Sequence, residues 1–257
     1  MKANSLRLVV VLANIAFLFL GLSAHAQNSC TYTFQTSKKG KTFEFCVSST
    51  GNIAEITANG VKQLSTSGVS GYTVRINSDF GGGCGFDYGS LGNGGWDGPV
   101  RVTQPNGTGT LPILVFYDMV PYHLTETITQ VAASNLVQVK MAVFSEVGRG
   151  VNPATVTVTR VADFDIDNTA NNWLDHSLIL SWAYNQDGTR ATLYPSNYAA
   201  AFIEEAGVVA NPKAGFDFCN ISSASTPFHG DGAVYSRTIF EVHPQATKSV
   251  TFAYQIF

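Results

Sequence analysis

Charge is scarce in this chain: only 13% of its residues are Asp, Glu, Lys or Arg, and no basic run exceeds Lys38-Lys39-Gly40-Lys41. Nucleic acids and anionic membranes are recognised by concentrated positive charge, so neither is an expected partner. Several chemical motifs are missing as well. There is no Cys-x-x-Cys spacing, no Gly-x-Ser-x-Gly elbow, and His123, His176, His229 and His243 stand singly rather than in metal-binding pairs. Beyond residue 26 there is no amphipathic helical stripe, no apolar run of roughly 20 residues, no internal repeat and no Pro/Gly/Ser linker. Helical bundles, membrane-crossing helices and repeat arrays are thereby excluded.

The long apolar run that does exist, Leu8 to Leu22, follows Lys2 and Arg7 and precedes Ala24-His25-Ala26. That order reads as an export signal over residues 1–26, with the mature chain starting near Gln27. Cys30 follows Gln27-Asn28-Ser29, without the small apolar box of a lipoprotein. A secreted protein, extracellular or periplasmic, with no stable membrane insertion is the expectation. Removing Lys2 and Arg7 from the 15 basic residues leaves 13 against 18 acidic ones, a net charge of −5. Residues 27–257 are enough for a single β-sandwich domain with a sizeable core.

All four cysteines, Cys30, Cys46, Cys84 and Cys219, fall in the mature chain, and an even count in an exported protein points to two disulfides. Three pairings are open. Proximity favours Cys30 with Cys46, leaving Cys84 with Cys219. Strand parity objects, because Cys46 is out of phase with Phe43, Phe45 and Val47, so the first bridge requires a frayed end or a bulge.

From Thr31 onward apolar residues recur with period two, in short runs broken by Gly, Asn, Ser and Pro. The fold class expected is all-β: a large antiparallel two-sheet β-sandwich with little or no helix after the signal. At most a helical turn is expected around Asn171 to Asp175 or near Tyr198. The alternation in Leu178–Tyr184 places Leu178, Leu180, Trp182 and Tyr184 on one side, which predicts Trp182 in the core. Val250, Phe252, Tyr254 and Ile256 alternate likewise in a last strand expected to close an edge. The terminal Phe257 raises an outer-membrane β-barrel as a lesser alternative, but it is out of phase with that alternation. Between Asp79 and Gly98 nine of twenty residues are glycine, which predicts a long surface loop stapled by Cys84 rather than a strand.

Three chemistries are candidates. Asp163, Asp165 and Asp167 sit at i, i+2 and i+4 after Arg160, so in a strand all three carboxylates share the outer face, with Phe164 and Ile166 inside. With Asn168, Asn171, Asn172 and Asp175 close by, that oxygen-rich stretch suggests Ca2+. An EF-hand opening at Asp163 would carry glycine at its sixth position and glutamate at its twelfth, where this chain has Asn168 and Leu174. The plainer reading is an exposed acidic strand end relieved by Arg160 or another arginine, with the Asn-rich run as a turn. Trp96, Trp173, Tyr88 and Phe86 lie in Gly- or Asn-rich stretches and are candidates for stacking on sugar rings. His176 with Asp175, partnered by Tyr122 or Tyr184, and secondly His229, are the catalytic candidates. A non-catalytic protein that binds polysaccharide or cell-surface glycan is favoured, and a secreted carbohydrate-active enzyme is the alternative.

Overall fold

The computed structural model describes residues 29–64, 69–131, 134–197, 203–212, 217–224 and 226–257. The expected export signal, the helical turn near Tyr198 and most of the strand expected at Ala200–Ile203 lie outside the described residues. Nineteen strands form three antiparallel sheets among the described residues. A four-stranded sheet runs in chain order through β1 (Tyr32–Lys38), β2 (Lys41–Val47), β3 (Ile53–Ala58) and β4 (Val61–Leu64). The six-stranded sheet has the order β16 (Ile203–Ala210), β18 (Gly232–Val242), β12 (Ala154–Ala162), β5 (Gly71–Asn77), β6 (Gly83–Asp87) and β7 (Asn93–Gly94). Its nine-stranded counterpart begins β17 (Phe228–Gly230), β13 (Asn172–His176), β14 (Ser181–Tyr184), β15 (Arg190–Pro195) and β19 (Thr247–Ile256). It continues through β11 (Leu136–Ser145), β10 (Tyr122–Gln130), β9 (Ile113–Met119) and β8 (Arg101–Thr103).

The two larger sheets pack as a sandwich because their strands alternate. Val137, Val139, Met141 and Val143 of β11 and Val250, Phe252, Tyr254 and Ile256 of β19 are buried between the sheets. Val156 and Val158 of β12 meet them from the other side, and Phe43 and Phe45 of the four-stranded sheet join the same core. Among the described residues the sheets are open, with β17 and β8 as edges of the largest, and no closed barrel forms. β19 lies between β15 and β11, in the interior of its sheet rather than at the edge the sequence suggested. Both of its backbone edges are paired, with β11 on one side and β15 on the other.

Both disulfides pair as proximity predicted, with Cα separations of 5.3 Å for Cys30–Cys46 and 6.0 Å for Cys84–Cys219. Cys30 lies ahead of β1, outside the regular β1–β2 pairing that begins at Tyr32, which is the frayed end the parity objection called for. Inside the sandwich, Arg160 and Glu126 are both inaccessible to solvent and their side chains meet at 2.7 Å. Burial raises the Glu126 pKa, and the neighbouring guanidinium opposes that rise. Arg160 also donates to the Tyr254 hydroxyl and lies 4.9 Å over the Tyr72 ring. It therefore serves the core and does not relieve the aspartates that follow it.

Three expectations are corrected by the strand boundaries. β12 stops at Ala162, before the three aspartates expected to continue it, and a 3-10 turn spans Ile166–Asn168, with Asp167 and Asn168 in the left-handed region. The segment Asn171–Asp175, expected as a helical turn, is largely β13, held by pairing on both sides with β14 and β17. The glycine-rich stretch contains β6 and β7, and Gly85 is required there, because a Cβ would meet the Trp96 ring at 2.2 Å.

Candidate functional site

The outer face of β17, β13, β14 and β15 carries an aromatic row. In β13, Asn172 and Leu174 are buried while Trp173 and Asp175 face outward, and in β14 Ser181 and Ala183 are buried while Trp182 and Tyr184 face outward. The core position expected for Trp182 is thus reversed. Leu178 and Leu180 precede β14 in a turn, Leu178 being 87% exposed, and the small residues Ser181 and Ala183 are the ones that fit beneath. Register places Trp173 opposite Tyr184 on one side and His229 on the other. The Trp173 and Tyr184 planes lie within 18° at a centroid distance of 6.4 Å, and His229 lies 4.4 Å from Trp173. Arg190, opposite Tyr184, sets its guanidinium 4.8 Å over Trp182 and 5.8 Å over Phe257.

Beside this row opens a pocket of about 490 Å³, lined by Thr169, Asn171, Trp173, Asn185, Gln186, Asp187 and His229. The β14–β15 turn builds its rim. Asn185 Oδ1 and Asp187 Oδ1 both accept from the Thr189 amide, at 3.1 and 2.9 Å, and Gly188 takes a positive φ of 92°. Those bonds hold the Asp187 carboxyl below the usual carboxylate range. Asn185 in turn donates to Asp167, whose other oxygen accepts from Gln63 at 3.2 Å. Asp167 is therefore a tether between the 3-10 turn, β4 and the rim. Ring surfaces beside amide and carboxylate groups are what a sugar requires, apolar faces for its C–H groups and hydrogen-bonding partners for its hydroxyls.

The three aspartates do not share an outward face. Asp163 is 6% exposed and accepts from the Val69 amide at 3.0 Å. Burial raises its pKa to about 7, with Asp165 and Asp231 adding to the rise. Asp165 is also raised, by burial first and then by Asp231, while Asn168 is exposed. Phe164 and Ile166 are core residues as expected, at 1% and 0% exposure. Among the described residues no group of three or more His, Cys, Asp or Glu side chains lies close enough to hold a metal ion.

Of the four aromatic candidates, only Trp173 reaches the outer face. Trp96 packs toward the sandwich interior, 4.7 Å from Tyr117 and 6.3 Å from Tyr72. Tyr88 is fully buried and stacks at 4.0 Å on Phe218, with Phe86 stacked on the same ring at 5.5 Å. Cys84–Cys219 draws the Phe218 segment over these rings, so packing claims them. Among the catalytic candidates, Asp175 and His176 are successive strand residues, and Asp175 Oδ1 accepts the His176 amide instead of facing its imidazole. Tyr122 is buried at 2% exposure, while His229 does line the pocket. Arg190, Asn185, Gln186 and Asp187 are contributors that sequence reasoning missed. The signal available was the Asn-Gln-Asp-Gly turn directly after an aromatic strand.

No family model matches the chain, and no curated protein matches it. In fold it is similar to a bacterial glucoamylase complexed with acarbose, at a TM-score of 0.54 and 10% identity over 90% of this chain and 32% of that one. It also matches heparan sulfate lyase HepC from Pedobacter heparinus, at a TM-score of 0.48 and 12% identity over 90% of this chain and 36% of the other. The chain spans about a third of the length of each of these structures. What the glucoamylase likeness establishes is the chain's architecture, an antiparallel β-sandwich.

Proposed function

We propose that the protein is a glycan-binding β-sandwich whose binding site is the Trp173 pocket. The observation that carries this reading is the row His229, Trp173 and Tyr184 on an outer sheet face, beside a rim of amides and a carboxylate. Two disulfides and no helix among the described residues long and apolar enough to cross a membrane accord with an exported protein meeting its ligand outside the cytoplasm. Retention on an immobilised panel of polysaccharides tests the reading: wild type is retained by at least one, and Trp173→Ala loses that retention. Unchanged retention of Trp173→Ala places binding elsewhere and ends the proposal.

The enzymatic alternative has one candidate residue in the pocket, His229. Incubating the same panel with the protein and assaying new reducing ends or unsaturated products tests it, and product formation abolished by His229→Ala would favour catalysis. The Ca2+ expectation rests on sequence spacing. Calorimetric titration of calcium into chelator-treated protein decides it, heat of binding supporting a site and none retiring it.

A further inference from the structure

The charge around the Trp173 pocket is one-sided. None of its lining residues is lysine or arginine, while Asp187 lines it directly. Asp167 contacts the rim through Asn185. Asp175 stands two residues from Trp173 on the same outer face, opposite Trp182. The neighbouring cation, Arg190, is turned over the Trp182 and Phe257 rings rather than into the pocket. A carboxylate or sulfate entering here would meet the Asp187 charge at the wall, with Asp175 further along the same face and no lysine or arginine in the lining to pair it, whereas hydroxyl groups can donate to Asp187 and exchange hydrogen bonds with Asn171 and Gln186.

Resting on the glycan reading above, we infer that the pocket selects uncharged, hydroxyl-rich glycans and rejects those bearing carboxylate or sulfate groups. The rim carboxylates act as a charge filter, and the rings supply affinity common to both ligand classes. The chain's net negative charge adds long-range repulsion in the same direction.

Affinity electrophoresis at a pH of about 8 tests this with neutral and anionic probes. Dextran, laminarin, mixed-linkage β-glucan, galactomannan and hydroxyethylcellulose represent the neutral class. Carboxymethylcellulose, alginate, pectin and heparin represent the anionic one. Expected are retention by at least one neutral polysaccharide and binding to every anionic one weaker by roughly tenfold or more. The variant Asp175→Asn/Asp187→Asn, checked for an unchanged melting temperature, narrows that gap, and so does added salt. If that variant is less stable, the single variant Asp187→Asn decides in its place, because salt also screens the net charge of the whole chain. Anionic binding equal to neutral binding, or a gap that the variant leaves unaltered whatever salt does, overturns the filter while leaving the glycan reading intact. Retention by none of the probes removes the glycan reading and the filter with it.

Discussion

Arg160 and Glu126 show how much a single buried pair determines. Both are fully buried, and each is the other's counter-charge. Glu126→Ala is expected to destabilise the fold by about 3–5 kcal/mol, because it strands a guanidinium in the core. The double variant Arg160→Met/Glu126→Leu recovers most of that loss. Urea denaturation of the three proteins measures it, and a single variant as stable as wild type would contradict the pairing. Arg160 also shows what sequence could not give. Beside three aspartates it reads as their counter-ion, yet inward-facing Arg160 and Glu126 come from β12 and β10 of opposing sheets, a pairing visible only after folding. Phe164 and Ile166 were legible, because burial of bulky apolar residues survives the loss of the strand around them.

His123 works between elements. On β10, its Nδ1 lies 2.7 Å from Asp118 of β9, and its Nε2 lies 3.1 Å from Glu146 just beyond β11. The Asp118 contact first, opposed by partial burial and assisted by Glu146, raises the His123 pKa above its ordinary 6.5. A raised imidazole pKa adds stability that is fully present below the unfolded value and is lost as pH rises through the folded one. The melting-temperature difference between wild type and His123→Gln is therefore expected to be largest below about pH 6 and to shrink toward alkaline pH. A difference independent of pH would contradict this. Cys84–Cys219 also acts at this scale, tying β6 to the segment that places Phe218 against Tyr88. Cys84→Ser/Cys219→Ser is expected to cost roughly 2–5 kcal/mol, measured by thermal denaturation. No loss would mean that Phe218 stays packed on Tyr88 and Phe86 without its tie.

Element-level legibility divides along the same physical line. A period-two run with bulky inner residues, such as β19, is readable because alternation reports directly on one buried face. β13 was not, since its Asn-rich approach reads as a turn and its strand character comes from β14 and β17 alongside. In β14 the alternation was seen but its sense was inverted, because the bulky set faces out over small Ser181 and Ala183. The glycine-rich stretch departs from the expected loop for a related reason. Glycine is unfavourable in strands in general, yet Gly85 is what lets the Trp96 ring lie against β6.

For the whole molecule, the sandwich separates two aromatic systems that looked equivalent in sequence. Trp96 packs toward the interior and Trp173 occupies an outer sheet face, so the glycine-rich stretch and the 163–175 segment serve different ends of the design. The pocket needs β13, the β14–β15 turn and β17 together, elements spread over some sixty residues, and no local pattern announces their meeting. Isothermal titration with the polysaccharide that retains wild type most strongly tests the central claim most directly, comparing wild type, Trp173→Ala and Trp96→Phe. Trp173→Ala is predicted to lose about tenfold in affinity or more at unchanged stability, while Trp96→Phe melts earlier and binds as wild type does. Loss of affinity in Trp96→Phe with Trp173→Ala unaffected would contradict the assignment.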